Sequence, residues 1–406
     1  MISMNYYFVL LLSLFAFCVT AFVFPKVLRF AKKHQVVDSP NGRKLQRAPI
    51  PVLGGVAVYL GIAMGYLILA SYLPEPIIMW SLAAMTVMQI IGIWDDISDL
   101  STMFRFLIEI VLVAVFIAIS GIYIDDFHGF WLIHQLNSIG AVILSVVAGV
   151  GIINAVNMID GVDGYVSGFC IQACLCFAIL FLMVNETVLF CMAMVVTASL
   201  LPFFFHNVFG IKSKMFIGDG GTMMLGVLMA IFVLYALSSE TKCSILETQG
   251  VSLLAFSLAI MCIPIFDTLR VMTLRILRGY SPFKPDKTHL HHLFIDMGFS
   301  HLGAAMSILS INLSVVLIWL ILWKCGASIE WQTYMVVIMG LLVTFGFYKL
   351  MKIQQLGGDL DEMGHHQGTA LWHFFLKIGD RSHIEKGSMW KWISRLMDSH
   401  CVSVQK

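Results

Sequence analysis

Eleven apolar stretches, each close to twenty residues long, divide this chain and commit it to a membrane. They run over about 5–24, 52–73, 77–94, 104–124, 139–157, 166–184, 187–205, 223–239, 249–269, 304–323 and 331–351. A helix needs about 20 apolar residues to cross a hydrocarbon core about 30 Å thick, so each stretch has spanning length. The 406 residues are 59% hydrophobic and only 12% charged, about half the charged share of an ordinary soluble domain. The sequence therefore predicts an all-α polytopic membrane protein with about eleven transmembrane helices. Residues 1–351 form the integral-membrane domain and 352–406 a polar tail. Within the tail, Ser388–Met397 sets Trp390, Trp392 and Ile393 among Lys391 and Arg395, the composition of a short amphipathic helix.

Charge distribution fixes the orientation. Threading the spans alternately places 23 of the 25 Lys and Arg residues, counted with the span ends, on one side; only Lys242 and Lys324 fall on the other. Basic loops stay in the cytoplasm, so the expected arrangement has a periplasmic N-terminus and a cytoplasmic C-terminus in the inner membrane. The first apolar run has no basic residue before it and several after it, the reverse of a secretory signal peptide, and is read as an uncleaved span. Nine cysteines lie mostly within apolar runs and form no CxxC pair, which argues against a zinc ribbon or a disulfide framework. Inner-membrane lipids are the expected surroundings, nucleic acid is not an expected partner, and a homodimer is left open.

Four polar clusters interrupt the apolar pattern, all at cytoplasmic span ends. They are Asp95-Asp96 in GIWDDISDLS, the run NAVNMIDGVDG from Asn154 to Gly164, Asp219 in MFIGDGGT, and His289, His291 and His292 in THLHHLF. Adjacent carboxylates raise one another's pKa unless a cation lies between them. Asp95 and Asp96, expected directly after an apolar helix, thus suit a hard divalent ion such as Mg²⁺ or Mn²⁺. Asn154 and Asn157 are three apart and share a helix face. Asp160 and Asp163, each followed by Gly, form a tight turn where backbone can approach a phosphate. Asp219 is expected just before an apolar helix starting near Thr222, beside N–H groups that favour an anion. The loop 270–303 adds Arg270, Arg275, Arg278, Lys284, Lys287, Asp267 and Asp286 to the His residues, a composition suited to anionic substrates. Arg43, Lys44 and Arg47, before PIPVLGG, are placed to grip a lipid phosphate. A transporter would set its ionisable groups near the bilayer midplane, often in repeated halves; neither feature is present in the sequence.

The strings DSPNGRK with PIPVLGG, GIWDDISDLS, NAVNMIDGVDG, MFIGDGGT and RGYSPFKPDKTHLHHLF follow one another from about residue 38 to 300. In this order they resemble the polyprenyl-phosphate N-acetylhexosamine-1-phosphate transferases. The HLHH form is similar to the branch that transfers simple amino sugars, whereas the muramoyl-pentapeptide branch usually has three consecutive His. The resemblance implies transfer of GlcNAc-1-phosphate from UDP-GlcNAc to undecaprenyl phosphate with release of UMP and a need for Mg²⁺. That reaction is the first lipid-linked step of O-antigen or enterobacterial common antigen type polysaccharides; GalNAc or muramoyl-pentapeptide is the alternative sugar. It further implies Asp219 and Asn157 at the metal, with Asp95 and Asp96 beside them handling the lipid phosphate or acting as base. Asp160, Asp163, His289, His291 and His292 complete the expected catalytic set. Phe216 stacks on uracil, Arg105 meets the lipid phosphate, and Asn154, Arg43, Lys44, Asp286 and Arg270 join them as substrate contacts. One departure is Gln46, where the family commonly has His.

Overall fold

The computed structural model describes residues 6–38, 49–127, 130–132, 135–283, 287–349 and 388–403. Ten of its helices are long and apolar enough to cross a membrane. They are Tyr6–Lys33 (α1), Gly54–Tyr72 (α2), Pro76–Ser98 (α3), Thr102–Ser120 (α4), Ser138–Met158 (α5), Tyr165–Met183 (α6), Thr187–Phe209 (α7), Gly218–Ala236 (α8), His301–Lys324 (α12) and Ile329–Lys349 (α13). Four further helices are Leu253–Ile260 (α9), Cys262–Leu277 (α10), Leu290–Asp296 (α11) and Ser388–Ser403 (α14). The chain is a multi-pass, all-α membrane protein.

The remaining expected span, 249–269, is not one helix: α9 and α10 meet at Met261. Pro264 has no N–H for the carbonyl of Ile260, and a single side chain from α12 repairs the gap. Asn312 Nδ2 donates to Ile260 O at 3.0 Å, while its Oδ1 accepts from Ile263 N at 3.1 Å. A buried amide thus replaces the missing bonds, as membrane depth requires.

At the centre stands α8, packed against α2, α3, α5 and α6 and buried along nearly its whole length. The approach of α3 to α8 is close enough to exclude a side chain: a Cβ on Gly92 would stand 2.3 Å from the Gly220 nitrogen. This contact brings the end of α3 beside the start of α8. Two boundaries differ from expectation. Asp95 and Asp96 lie inside the last turn of α3, and Asp219 lies inside the first turn of α8, which starts at Gly218. Ordinary helix-forming geometry continues through the polar residues because each finds a partner on a neighbouring helix.

Two short strands escaped the hydropathy pattern. Val37–Asp38 (β1) pairs antiparallel with Ile50–Pro51 (β2), and the pair brackets the basic loop. From β2 the chain grips the segment before α8: Phe216 N donates to Pro51 O at 2.7 Å, Gly54 N to Phe216 O at 2.9 Å and Gly55 N to Ile217 O at 2.7 Å. Helix α14 docks on the end of α7, with the Trp390 ring 4.8 Å from that of Phe209.

Candidate active site

The end of α3, the start of α8 and the end of α5 meet in one acidic cluster. Asp96 acts as an N-cap supplied from another helix, its Oδ1 accepting from Asp219 N at 3.1 Å and its Oδ2 from Gly220 N at 3.4 Å. A carboxylate there satisfies first-turn donors and faces the positive end of the helix dipole. Gly218 makes the approach possible, with φ at +75° and a position where a Cβ would come 2.6 Å from Asp96 Oδ2 and 2.1 Å from Val52 O. Asn157 Nδ2 donates to Asp219 Oδ1 at 2.9 Å and to Thr222 Oγ1 at 2.7 Å. Arg105, near the start of α4, binds Asp95 Oδ2, and its Nη1 lies 3.6 Å from Asp219 Oδ2. Asp95 Oδ1 accepts from Leu100 N at 2.7 Å.

Among the described residues, Arg105 is the one cation paired with Asp95, Asp96, Asp160 or Asp219. Four carboxylates thus share one guanidinium. Asp160 registers the imbalance. Although accessible from outside, it is crowded by protein, and desolvation followed by repulsion from Asp219, Asp163 and Asp38 pushes its carboxyl up to about 7. Water on its open side softens the first cause, so the repulsion is the part a bound cation would relieve. The Asn157 amide oxygen accepts no hydrogen bond among the described residues. Hard oxygens with surplus negative charge fit a Mg²⁺-class ion.

A family profile described as glycosyl transferase family 4 matches residues 78–237, the stretch that contains all three ends of this cluster. The chain is 33% identical over 308 residues to the probable undecaprenyl-phosphate N-acetylglucosaminyl 1-phosphate transferase of Bacillus subtilis (strain 168), covering 73% of this chain and 82% of that one. It is 32% identical over 300 residues to the undecaprenyl-phosphate alpha-N-acetylglucosaminyl 1-phosphate transferase of Escherichia coli (strain K12), covering 71% and 77%. The Yersinia pestis protein of that name is 28% identical over 280 residues, covering 67% and 73%. The chain belongs to this transferase family.

In this transferase the His loop is a second, different kind of site. Asp267, on α10, accepts from Arg270 Nη2 at 2.7 Å, from His289 Nδ1 at 2.9 Å and from Leu290 N at 3.1 Å. Arg270 is fully buried; its Nη2 also donates to Thr288 O at 2.5 Å, and its guanidinium lies 4.5 Å above the Tyr348 ring. Arg270 therefore props the loop from within and is closed to a ligand, which corrects its expected place on the substrate. With Nδ1 held by Asp267, His289 keeps Nε2 as its second ring nitrogen. His291 Nε2 lies over Gly161, 2.2 Å from where a Cβ would stand, joining the loop to the turn that carries Asp160. Burial, then the adjoining His292 and His289 rings, hold the His291 imidazole well below its usual range. The His292 ring centre is 4.3 Å from that of His291.

Three more assignments shift. Asn154 does not join Asn157 at Asp219; its Nδ2 binds Glu109 on α4 and the Val150 carbonyl. Asp95 has both oxygens engaged, one of them on Arg105, which it holds at the edge of the cluster. Asp163 is a buried anchor, 2.5 Å from Lys214 Nζ and 3.1 Å from His301 Nδ1. Burial works to raise its pKa, but the His301 hydrogen bond and the charges of Lys214 and His301 outweigh it and hold the carboxyl below the usual range. Phe216 is half-buried, its ring centre 5.9 Å from Lys214 Nζ. Arg43, Lys44, Gln46 and Asp286 lie outside the described residues.

Several residues went unread in the sequence. Glu109 is a buried acid inside an apolar span, a signal that was available. Asn207 joins two loops, accepting from Gly164 N at 2.7 Å and donating to Met215 O at 3.0 Å. Asp398, on α14, accepts at Oδ1 from the backbone N–H groups of Ile211, Lys212 and Ser213 at 3.2, 3.0 and 3.0 Å. It thereby fastens the turn that leads to Lys214, Phe216 and Asp219. No sequence pattern announces that contact.

Proposed function

We propose that this protein transfers GlcNAc-1-phosphate from UDP-GlcNAc to undecaprenyl phosphate, giving undecaprenyl-diphosphate-GlcNAc and UMP. The observation that carries this reading is the convergence of Asp96, Asn157, Asp160 and Asp219 with a surplus of negative charge. The names of the relatives supply the sugar and the lipid. The product is the first lipid-linked intermediate of an O-antigen or common-antigen type glycan. By the distribution of Lys and Arg, the cluster faces the cytoplasm, where a nucleotide sugar is available.

Both substrates are anions, so the chain's task is to position them and offset their repulsion. Asp219 and Asn157, with Asp96 adjoining, are the residues that would hold Mg²⁺ or Mn²⁺, which supplies charge neutralisation on the diphosphate and favours departure of UMP. Asp95 is a positioning residue that aims Arg105 at the edge of the cluster, where the guanidinium meets an incoming phosphate. Asp96 takes the residual proton of the lipid phosphate, whose second pKa of about 6 demands no strong base. The lipid phosphate oxygen attacks the sugar-bearing phosphorus directly, and the bond to UMP breaks. His289 offers its Nε2 to the diphosphate or sugar, and the half-buried Phe216 its ring to the uracil.

The deciding experiment gives purified protein a panel of UDP-sugars with polyprenyl phosphate and Mg²⁺, and weighs the lipid product. A mass increment of HexNAc-phosphate from UDP-GlcNAc alone supports the reading; a product from UDP-GalNAc or UDP-muramoyl-pentapeptide alone overturns the sugar assignment. Labelled sugar phosphate retained on the protein without lipid acceptor would overturn direct attack in favour of a covalent aspartyl intermediate.

A further inference from the structure

A second cluster of ligating side chains lies where α14 meets α7, and the reaction makes no use of it. Among the described residues, His206, His400 and Cys401 are the one group of His, Cys or acidic side chains whose ligand atoms all lie within 4.8 Å of one another. His206 and Cys401 are buried, and His400 is exposed. Neighbours on a helix point about 100° apart, yet His400 and Cys401 both reach the same ring from α14. We propose that these three side chains form a binding site for a thiophilic divalent metal of the zinc class, which staples α14 to the end of α7.

The donor set separates this site from the acidic cluster. Two imidazoles and a thiolate suit zinc, whereas carboxylate and amide oxygens suit magnesium. Zinc bond lengths of about 2.3 Å to sulfur and 2.0–2.1 Å to nitrogen put tetrahedral ligand atoms about 3.3–3.6 Å apart. With all separations within 4.8 Å, the trio needs to close by no more than about 1.5 Å, within the reach of side-chain adjustment. The same exposure leaves room for water as a fourth ligand.

The surroundings already orient the buried ligand. Ser213 Oγ donates its one proton to Asp398 Oδ1 at 3.0 Å, so toward His206 Nδ1, 3.1 Å away, the oxygen can only accept. His206 is thus protonated on Nδ1 and keeps its lone pair on Nε2. Phe24 stacks on the same ring at 4.3 Å and 10°, fixing its plane. A carboxylate, a hydroxyl and an imidazole in series are the outer-shell support that metal-binding His residues use. Because Asp398 also holds the turn at 211–213, metal at this site would fasten the tail helix to the segment leading into the acidic cluster.

The test uses the full-length protein in detergent, stripped with chelator and held in excess Mg²⁺ to fill the oxygen sites, then titrated with Co²⁺. We expect one equivalent bound with a thiolate-to-metal charge-transfer band and tetrahedral d–d bands, displaced by Zn²⁺. Cys401→Ser abolishes the charge-transfer band, and His400→Ala weakens binding at least tenfold. Ser213→Ala weakens it roughly 10–100-fold, as loss of an outer-shell partner does. Zn²⁺ also slows amide exchange across 388–403 in the wild type but not in Cys401→Ser. Both Cys401→Ser and His400→Ala, measured without Zn²⁺, keep the wild-type elution profile and UMP release, which separates lost metal binding from lost folding. Equal Co²⁺ uptake without a thiolate band in the wild type and in the Cys401→Ser/His400→Ala double variant would overturn the proposal. The metal readouts stand whether or not UDP-GlcNAc proves to be the donor.

Discussion

The acidic cluster and the His loop both gather charged side chains at the ends of apolar helices, and they treat charge in opposite ways. At the His loop, Asp267 is surrounded by Arg270, His289 and a backbone N–H, so the buried carboxylate is fully matched within the protein. At the acidic cluster, Asp95, Asp96, Asp160 and Asp219 share Arg105 alone among the described residues. The matched group holds a loop in place. The unmatched group carries repulsion that only an outside cation or a rearranged substrate can relieve, and such stored strain marks places where chemistry is done. Counting charged residues would rank the two together; counting their partners separates them.

If that distinction holds, removing an acid has opposite consequences at the two places. Asp219→Asn lowers UMP release by roughly a thousandfold, the scale of a lost electrostatic group, while thermal unfolding shows Tm unchanged or raised. A lowered Tm with activity retained would reverse the roles drawn here. Asp267→Asn does the converse, leaving the Arg270 charge buried and under-partnered and costing about 3–5 kcal/mol. That loss is read as a fall in Tm and in folded yield. Next in size, Asp398→Ala frees the turn at 211–213 and reduces kcat/KM about fivefold, the worth of about one net hydrogen bond. Its effect falls on KM for the nucleotide sugar more than on kcat.

The smallest effect is a pH dependence. His291 stays neutral in the fold because burial and neighbouring rings depress its pKa, whereas the unfolded chain binds that proton below about 6.5. Stability therefore falls as pH drops through about 6.5. Tm measured between about pH 8 and pH 5.5 should decline more steeply in the wild type than in His291→Asn; parallel slopes would show that His291 does not set the dependence.

Much of this was legible because polar strings interrupt an apolar background. Asp95-Asp96, Asn157, Asp160 and Asp219 stood out in the sequence, and the structure brings them together. What stayed hidden was the choice of partner. Spacing says that Asn154 and Asn157 share a face, but not that α4 stands beside one and α8 beside the other. The ten-residue interval between Asp95 and Arg105 gave no sign that the pair would bind each other. Hydropathy joined 249–269 into one span, and only packing reveals the break before Pro264 and the Asn312 side chain that closes it. In the tail the helix from Ser388 was legible, but a carboxylate at 398 capping a turn at 211 depends wholly on tertiary docking. Hydropathy reports depth in the membrane, and neighbours at that depth are set by interhelical geometry.

The placement of α8 bears on how the bilayer itself acts on this protein. Almost none of that helix reaches lipid, while α4 exposes most of its length. Thickness or headgroup changes tilt rim helices by fractions of a kcal/mol per ångström of mismatch. Such forces arrive at Arg105 long before they arrive at Asp219. Lipid composition should then tune how readily the acceptor is captured and leave the bond-making geometry as it is.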